Sequence, residues 1–269
     1  MDAPRWSRRL LAAAGLCLSM AAGTANAGDY VSLPGGSFAS VIANDASGRL
    51  ASVEAFEMRV TPVTQEEFER FVERQPQWRR DRIASVLADA GYLSDWASPT
   101  QGPVGENPHR PVTHVSWFAA QAFCESEGAR LPSWSEWEYA AAADETRRDA
   151  RADPQWRSRI LSWYSRPSTQ PLRAVGAAPN VYGLRDMHAL VWEWVDDFNA
   201  LLVDADSRSG DDPDKLKFCG AGAINLQQRE NYAVLMRVAL LSSLRASDST
   251  ASLGFRCVRP IESQTREAP

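Results

Sequence analysis

The sequence predicts a loop-rich domain built from short helices and short strands. Two observations carry this: three compact apolar helical stripes, each opened by a capping residue, and 16 Gly with 16 Pro that punctuate the chain between brief apolar runs. At 269 residues, 44% hydrophobic and 23% charged, the chain holds enough apolar side chains for a core. Its net charge of −5 argues against a nucleic-acid partner, which would call for a basic surface. Ten Trp are a large share of the aromatics and suit a fold that fills volume with few regular elements.

The elements follow in order. Leu33-Pro34-Gly35-Gly36-Ser37-Phe38 reads as strand, turn, strand, and Val53 to Val60 as a further strand. Thr64-Gln65-Glu66-Glu67 is a capping box that opens a helix carrying Phe68, Phe71 and Val72 on one face. From Gln75 to Arg110 four prolines interrupt the pattern, leaving loop and one short helix near Ile83, Val86 and Leu87. Ser116 caps a second helix that ends at Gly128, and Ser133-Trp134-Ser135-Glu136 caps a third. Asp144 to Arg159 reads as a solvated face or loop. Val191 to Val195 alternates like a strand, Phe218 to Ala223 is a short apolar element, and Leu253 to Val258 reads as a core strand. Tyr232 to Leu244 fits helix and strand equally by period.

Residues 1–27 differ from the rest. Arg5, Arg8 and Arg9 precede an apolar run from Leu10 to Ala22 and a small-residue end at Ala25-Asn26-Ala27, the layout of a cleaved signal peptide. The run is too short to cross a bilayer, and no later stretch can span one, so the mature protein is expected to be periplasmic or secreted. General secretion is favoured over the twin-arginine route despite Arg8-Arg9. The expected organisation is a signal over 1–27, one domain over 28–260 and a polar tail over 261–269. Three of the 29 basic and one of the 34 acidic side chains leave with the signal, so the remainder is more acidic still. It retains Cys124, Cys219 and Cys257, an odd number in an oxidising compartment. One disulfide and one spare thiol is the simplest solution, and spacing leaves the pairing open.

The ordered motifs Leu33–Phe38, Val60-Thr61-Pro62-Val63-Thr64, Pro111–Trp117, Ala129-Arg130-Leu131-Pro132, Glu136–Ala140, Asn180–Leu184, Val191–Trp194 and Leu253–Cys257 resemble the formylglycine-generating enzyme, or sulfatase-modifying factor, family. The resemblance implies an α+β, C-type-lectin-like fold with sparse regular structure. It also implies a disulfide between Cys124 and Cys257, leaving Cys219 spare. Catalytic members oxidise a substrate cysteine with two active-site cysteines, copper and oxygen, yet Ala223 to Met236 contains no cysteine. Soft Cu(I) needs thiolates, so formylglycine generation is not expected. Four polar positions of the family pattern are also exchanged, standing here as Gly222, Ala189-Leu190, Leu241 and Ser252.

Iron-dependent sulfoxide synthases of the same superfamily use three histidines, whereas His109, His114 and His188 lie on unrelated segments, so neither a copper nor an iron site is evident. Calcium at Glu193 is an expectation of the resemblance, weakened because Leu190 offers no oxygen. Weak catalytic candidates are Glu193, Cys219, Ser242 and Ser243. Trp117, Trp137, Trp192 and Trp194 are expected to serve packing. The sequence therefore points to an exported accessory, maturation or regulatory protein that binds a protein or peptide, similar to a periplasmic regulator of type VI secretion. The alternative is a cysteine-independent periplasmic oxidoreductase, similar to the pyoverdine-maturation protein, or an accessory factor of an exported reductase. A lectin-like sugar-binding module rests on fold kinship alone.

Overall fold

The computed structural model describes residues 30–42, 50–164, 171–188, 190–201 and 232–261. The expected signal peptide, Phe218 to Ala223 with Cys219, and most of the polar tail lie outside them.

Strands β1 (Tyr30–Leu33) and β2 (Gly36–Phe38) flank a turn in which Gly35 takes φ 68°. A Cβ there would stand 2.4 Å from the Val53 carbonyl oxygen, so only glycine fits the close approach. The Val53–Val60 run is two strands rather than one, β3 (Ala51–Val53) and β4 (Phe56–Arg59), because the chain changes partner at Glu54-Ala55. β3 pairs antiparallel with β2, whereas β4 pairs antiparallel with β1 and with β7 (Val258–Pro260), forming a three-stranded sheet of order β1-β4-β7. β5 (Trp192–Glu193) and β6 (Leu253–Gly254) form a separate parallel pair. The expected core strand from Leu253 is thus divided between two sheets.

Helix α1 (Gln65–Arg74) starts with both hydrogen bonds of the Thr64–Glu67 capping box and buries Phe68, Phe71 and Val72 completely. Each such burial stabilises the fold by about 1.5–3 kcal/mol. Their rings meet Phe123 of α2 (Trp117–Ser126) and Phe255, with centroids 5.2–6.1 Å apart. Ser116 caps α2, and Gly128 ends it at φ 68°. Helix α3 (Trp134–Ala141) has the predicted capping box at Ser133 and Glu136. Cys124 of α2 is joined to Cys257 beside β7, with Cα atoms 5.5 Å apart, so the disulfide ties a helix to the sheet.

Three readings change. The 83–87 stretch is turn, with Val86 exposed, because the only helical piece nearby is a 3₁₀ turn at Pro76–Trp78. Asp144–Arg159 is not simply a solvated face: helix α4 (Pro154–Tyr164) begins inside it and buries Trp156 and Ile160 with Ala150 in a second small core. Tyr232–Leu244 resolves as helix α5 (Tyr232–Ser242). Among the described residues no helix is long and apolar enough to cross a membrane.

Candidate functional site

The chemistry-bearing side chains converge where β5 and β6 run side by side. Gly254 lets these strands settle against the Val112 backbone, since a Cβ would stand 2.7 Å from its carbonyl oxygen. Two residues on, Arg256 turns inward to Glu193 of β5. Its Nε and Nη2 donate to Oε2 at 2.9 Å and to Oε1 at 2.8 Å, and neither side chain is exposed. Arg256 also donates to the carbonyls of Arg59, Val60 and Arg185. The indole of Trp137 on α3 donates to Glu193 Oε2 at 2.8 Å.

Two further polar groups sit against Trp137. Arg237 of α5 is 2% exposed, its Cζ lies 3.5 Å from the ring centroid of Trp137, and Nη2 donates to the backbone carbonyl of Glu193. Burial pulls its pKa down to about 10, although Glu193 opposes the shift. The His188 ring packs edge-on to Trp137 and Trp156. Its Nε2 is 2.9 Å from the Ala141 carbonyl, which accepts the proton of that nitrogen. Burial depresses the imidazole to about pKa 4, and the nearby Arg237 cation pushes the same way. Half-buried Trp163, Tyr164 and Trp192 pack with centroids 4.5–5.5 Å apart, and burial lifts the Tyr164 phenol to about 12.

Glu193 therefore stands at the centre, but its oxygens accept from Arg256 and Trp137. A calcium ligand or a free general base needs an oxygen to spare, and the geometry leaves Glu193 as the partner of an arginine. The serine candidates do not join it. Ser243 Oγ donates to the Leu240 carbonyl at 2.7 Å, Ser242 Oγ is buried without a partner, and neither has a hydrogen bond to Glu193. Cys219 lies outside the described residues. Trp137 and Trp194 are fully buried, as packing residues should be, while Trp117 and Trp192 are half-buried. Trp117 Nε1 reaches the Val195 carbonyl and Trp194 Nε1 that of Val115.

The histidines do not meet. His114, at φ 56°, faces Ser94, His109 lies on the surface beside Glu66, and His188 is packed between tryptophans. Among the described residues no three of His, Cys, Asp and Glu cluster as metal ligands would. The residues also do not fit copper as a thiolate pair would hold it: Cys124 and Cys257 are consumed by the disulfide, leaving Cys219 as the single thiol after residue 27. A separate cleft of about 260 Å³, lined by Gly36, Tyr139, Arg148 and Tyr182 among others, shares none of these residues.

Sequence reasoning missed Arg237, although a signal was present: it is the only charge in the apolar run Tyr232–Leu244. Arginine is rarely fully buried unless its head group is paired, so one in an otherwise apolar helix raises the question of what its guanidinium meets.

Residues 18–261 match the sulfatase-modifying factor enzyme 1-like domain. The chain belongs to this family. It is 31% identical to the formylglycine-generating enzyme of Streptomyces coelicolor over 208 residues, covering 70% of this chain and 62% of that relative. It is 26% identical to the inactive C-alpha-formylglycine-generating enzyme 2 of Bos taurus over 275 residues, 85% of this chain and 87% of the relative. A hercynine oxygenase of Mycolicibacterium smegmatis is 30% identical over 196 residues, which is 62% of this chain and 45% of that protein. Among solved structures, PvdO from Pseudomonas aeruginosa aligns with a TM-score of 0.47 at 19% identity, covering 86% of this chain and 94% of that one.

Proposed function

We propose that this sulfatase-modifying-factor domain does not generate formylglycine and serves as an exported accessory or regulatory protein that holds a partner protein or peptide. One observation carries the reading. With Cys124 joined to Cys257, a single thiol remains after residue 27, and one thiolate cannot provide the paired soft ligands that monovalent copper needs. The similarity to a relative named as inactive, along most of both chains, supports the same reading. So does the pairing of Glu193 with Arg256, which occupies the carboxylate at the centre of the site.

The test is direct. Residues 28–269, purified aerobically and supplied with Cu(I), are incubated with a Cys-bearing sulfatase peptide, and aldehyde is assayed with a carbonyl-reactive probe. No aldehyde above the protein-free control is expected. Aldehyde formation, or purification with stoichiometric copper or iron, overturns the proposal and favours the oxidoreductase alternative.

A further inference from the structure

Among the described residues, the charges around Trp137 leave one cation over. Glu193 is neutralised by the two-pronged contact with Arg256, and among the described residues no other carboxylate forms an ion pair with Arg237. Yet Arg237 is 2% exposed, and its Nε is buried with no hydrogen-bond acceptor. A buried guanidinium without an anion is costly, and the cost is relieved when a carboxylate arrives in its plane. That plane is already set, because Trp137 holds one face of the guanidinium and the Glu193 carbonyl takes Nη2. A second unclaimed atom belongs to the ring packed edge-on to the same indole: since His188 Nε2–H points at Ala141, Nδ1 presents a lone pair, and it too is buried without a partner. Trp163, Tyr164 and Trp192, each half-buried, supply flat apolar walls beside β5 and α4.

A carboxylate, an N–H donor within a few ångströms of it, and a flat apolar group together describe the C-terminal residue of a peptide. We infer that Arg237, His188 and the walls of Trp163, Tyr164 and Trp192 form a receptor for a free peptide C-terminus whose last side chain is aromatic or apolar. Arg237 takes the carboxylate, His188 Nδ1 accepts the terminal amide N–H, and the aromatic walls receive the side chain. This rests on the reading of the protein as a peptide or partner binder and names the chemistry such a partner would offer.

The experiment uses residues 28–269 labelled with ¹⁵N-arginine. The Nε–Hε signal of Arg237 is assigned by its loss in Arg237→Lys, and the protein is titrated with N-acetylphenylalanine, its C-terminal amide, acetate and an internal Glu-containing peptide amide. N-Acetylphenylalanine should move the signal saturably. The amide and the Arg237→Lys variant should each bind at least about tenfold more weakly, the loss expected for a charge-assisted, forked contact. His188→Gln, which leaves the charge in place, should weaken N-acetylphenylalanine but not acetate. Unchanged thermal unfolding of Arg237→Lys separates lost binding from lost folding, and the wild-type titration is informative by itself.

An Arg237 signal that no carboxylate moves overturns the inference, as does equal binding of acid and amide. A preference for the internal glutamate peptide also overturns it, since the carboxylate then comes from a side chain. So does a signal that responds only after Asp204, Asp206, Asp211, Asp212 and Asp214 are neutralised, because the chain's own carboxylates then fill the place. The aldehyde assay is read separately: its failure removes the accessory reading without moving the arginine signal, and the converse holds.

Discussion

Arg256 and Glu193 meet through two parallel hydrogen bonds of 2.9 and 2.8 Å, and neither side chain sees solvent. Such a pair contributes little over a well-packed apolar replacement, but breaking it leaves a charge stranded in the interior. Arg256→Met or Glu193→Gln alone should therefore destabilise the fold by about 3–5 kcal/mol. The double variant should lose clearly less than the two single losses combined, measured as urea midpoints and slopes at pH 7. Additive losses would mean that the two residues act through their other partners.

Much of this framework is legible in the sequence because it is local. Thr64 with Glu67 and Ser133 with Glu136 announce helix starts three residues apart, and both capping boxes form as read. Phe68, Phe71 and Val72 keep helical spacing and all are buried. What escapes is set by contacts distant along the chain. Nothing near Tyr232 reveals that α5 will lay Arg237 on Trp137, a hundred residues earlier, nor that Glu193 will meet Arg256 across 63 positions. The apolar period alone cannot choose helix or strand for 232–244, and tertiary packing decides it. Helix α4 is hidden because Asp144, Arg147 and Asp153 look like solvated charge, whereas they pair with one another just ahead of it.

The disulfide spans 133 positions, so opening it frees a large loop in the unfolded chain. In the chain-entropy account a closure of this size stabilises the fold by about 4–5 kcal/mol. Cys124→Ala/Cys257→Ala should lose an amount of that order in urea unfolding, and added reductant should lower the melting temperature of the wild type but not of the variant. Denatured, unreduced residues 28–269 should also show one titratable thiol, from Cys219, out of the three cysteines after residue 27. Three titratable thiols without reductant would mean that the bridge does not form, and the thiol argument against formylglycine generation would fall with it.

Thr64 satisfies the Glu67 amide, while Glu67 returns to the Thr64 amide and also pairs with Arg59. Thr64→Ala should cost about 1 kcal/mol, the usual loss for a cap. Glu67→Ala should cost more, because Arg59 is 2% exposed and would keep Glu127 as its one ion-pair partner among the described residues. Equal losses in thermal unfolding would show that the Arg59–Glu67 contact adds nothing.

His188 provides a pH signature of the site. Its folded pKa, about 4, lies below the 6.5 of a free imidazole, so protonation favours the unfolded chain. The groups facing it give the protonated ring little relief: Arg237 and Arg256 repel it, and Glu193, which attracts it, is already bound by Arg256. Stability from this residue is fully present above pH 6.5 and is lost as pH falls toward 4. Between pH 7 and pH 5 the loss should be about 2 kcal/mol. His188→Gln removes the titrating ring, so its urea midpoint should change less over that interval than the wild-type midpoint. Parallel profiles would mean that the ring is reached by water and titrates normally, which would also remove the buried Nδ1 acceptor from the proposed peptide site.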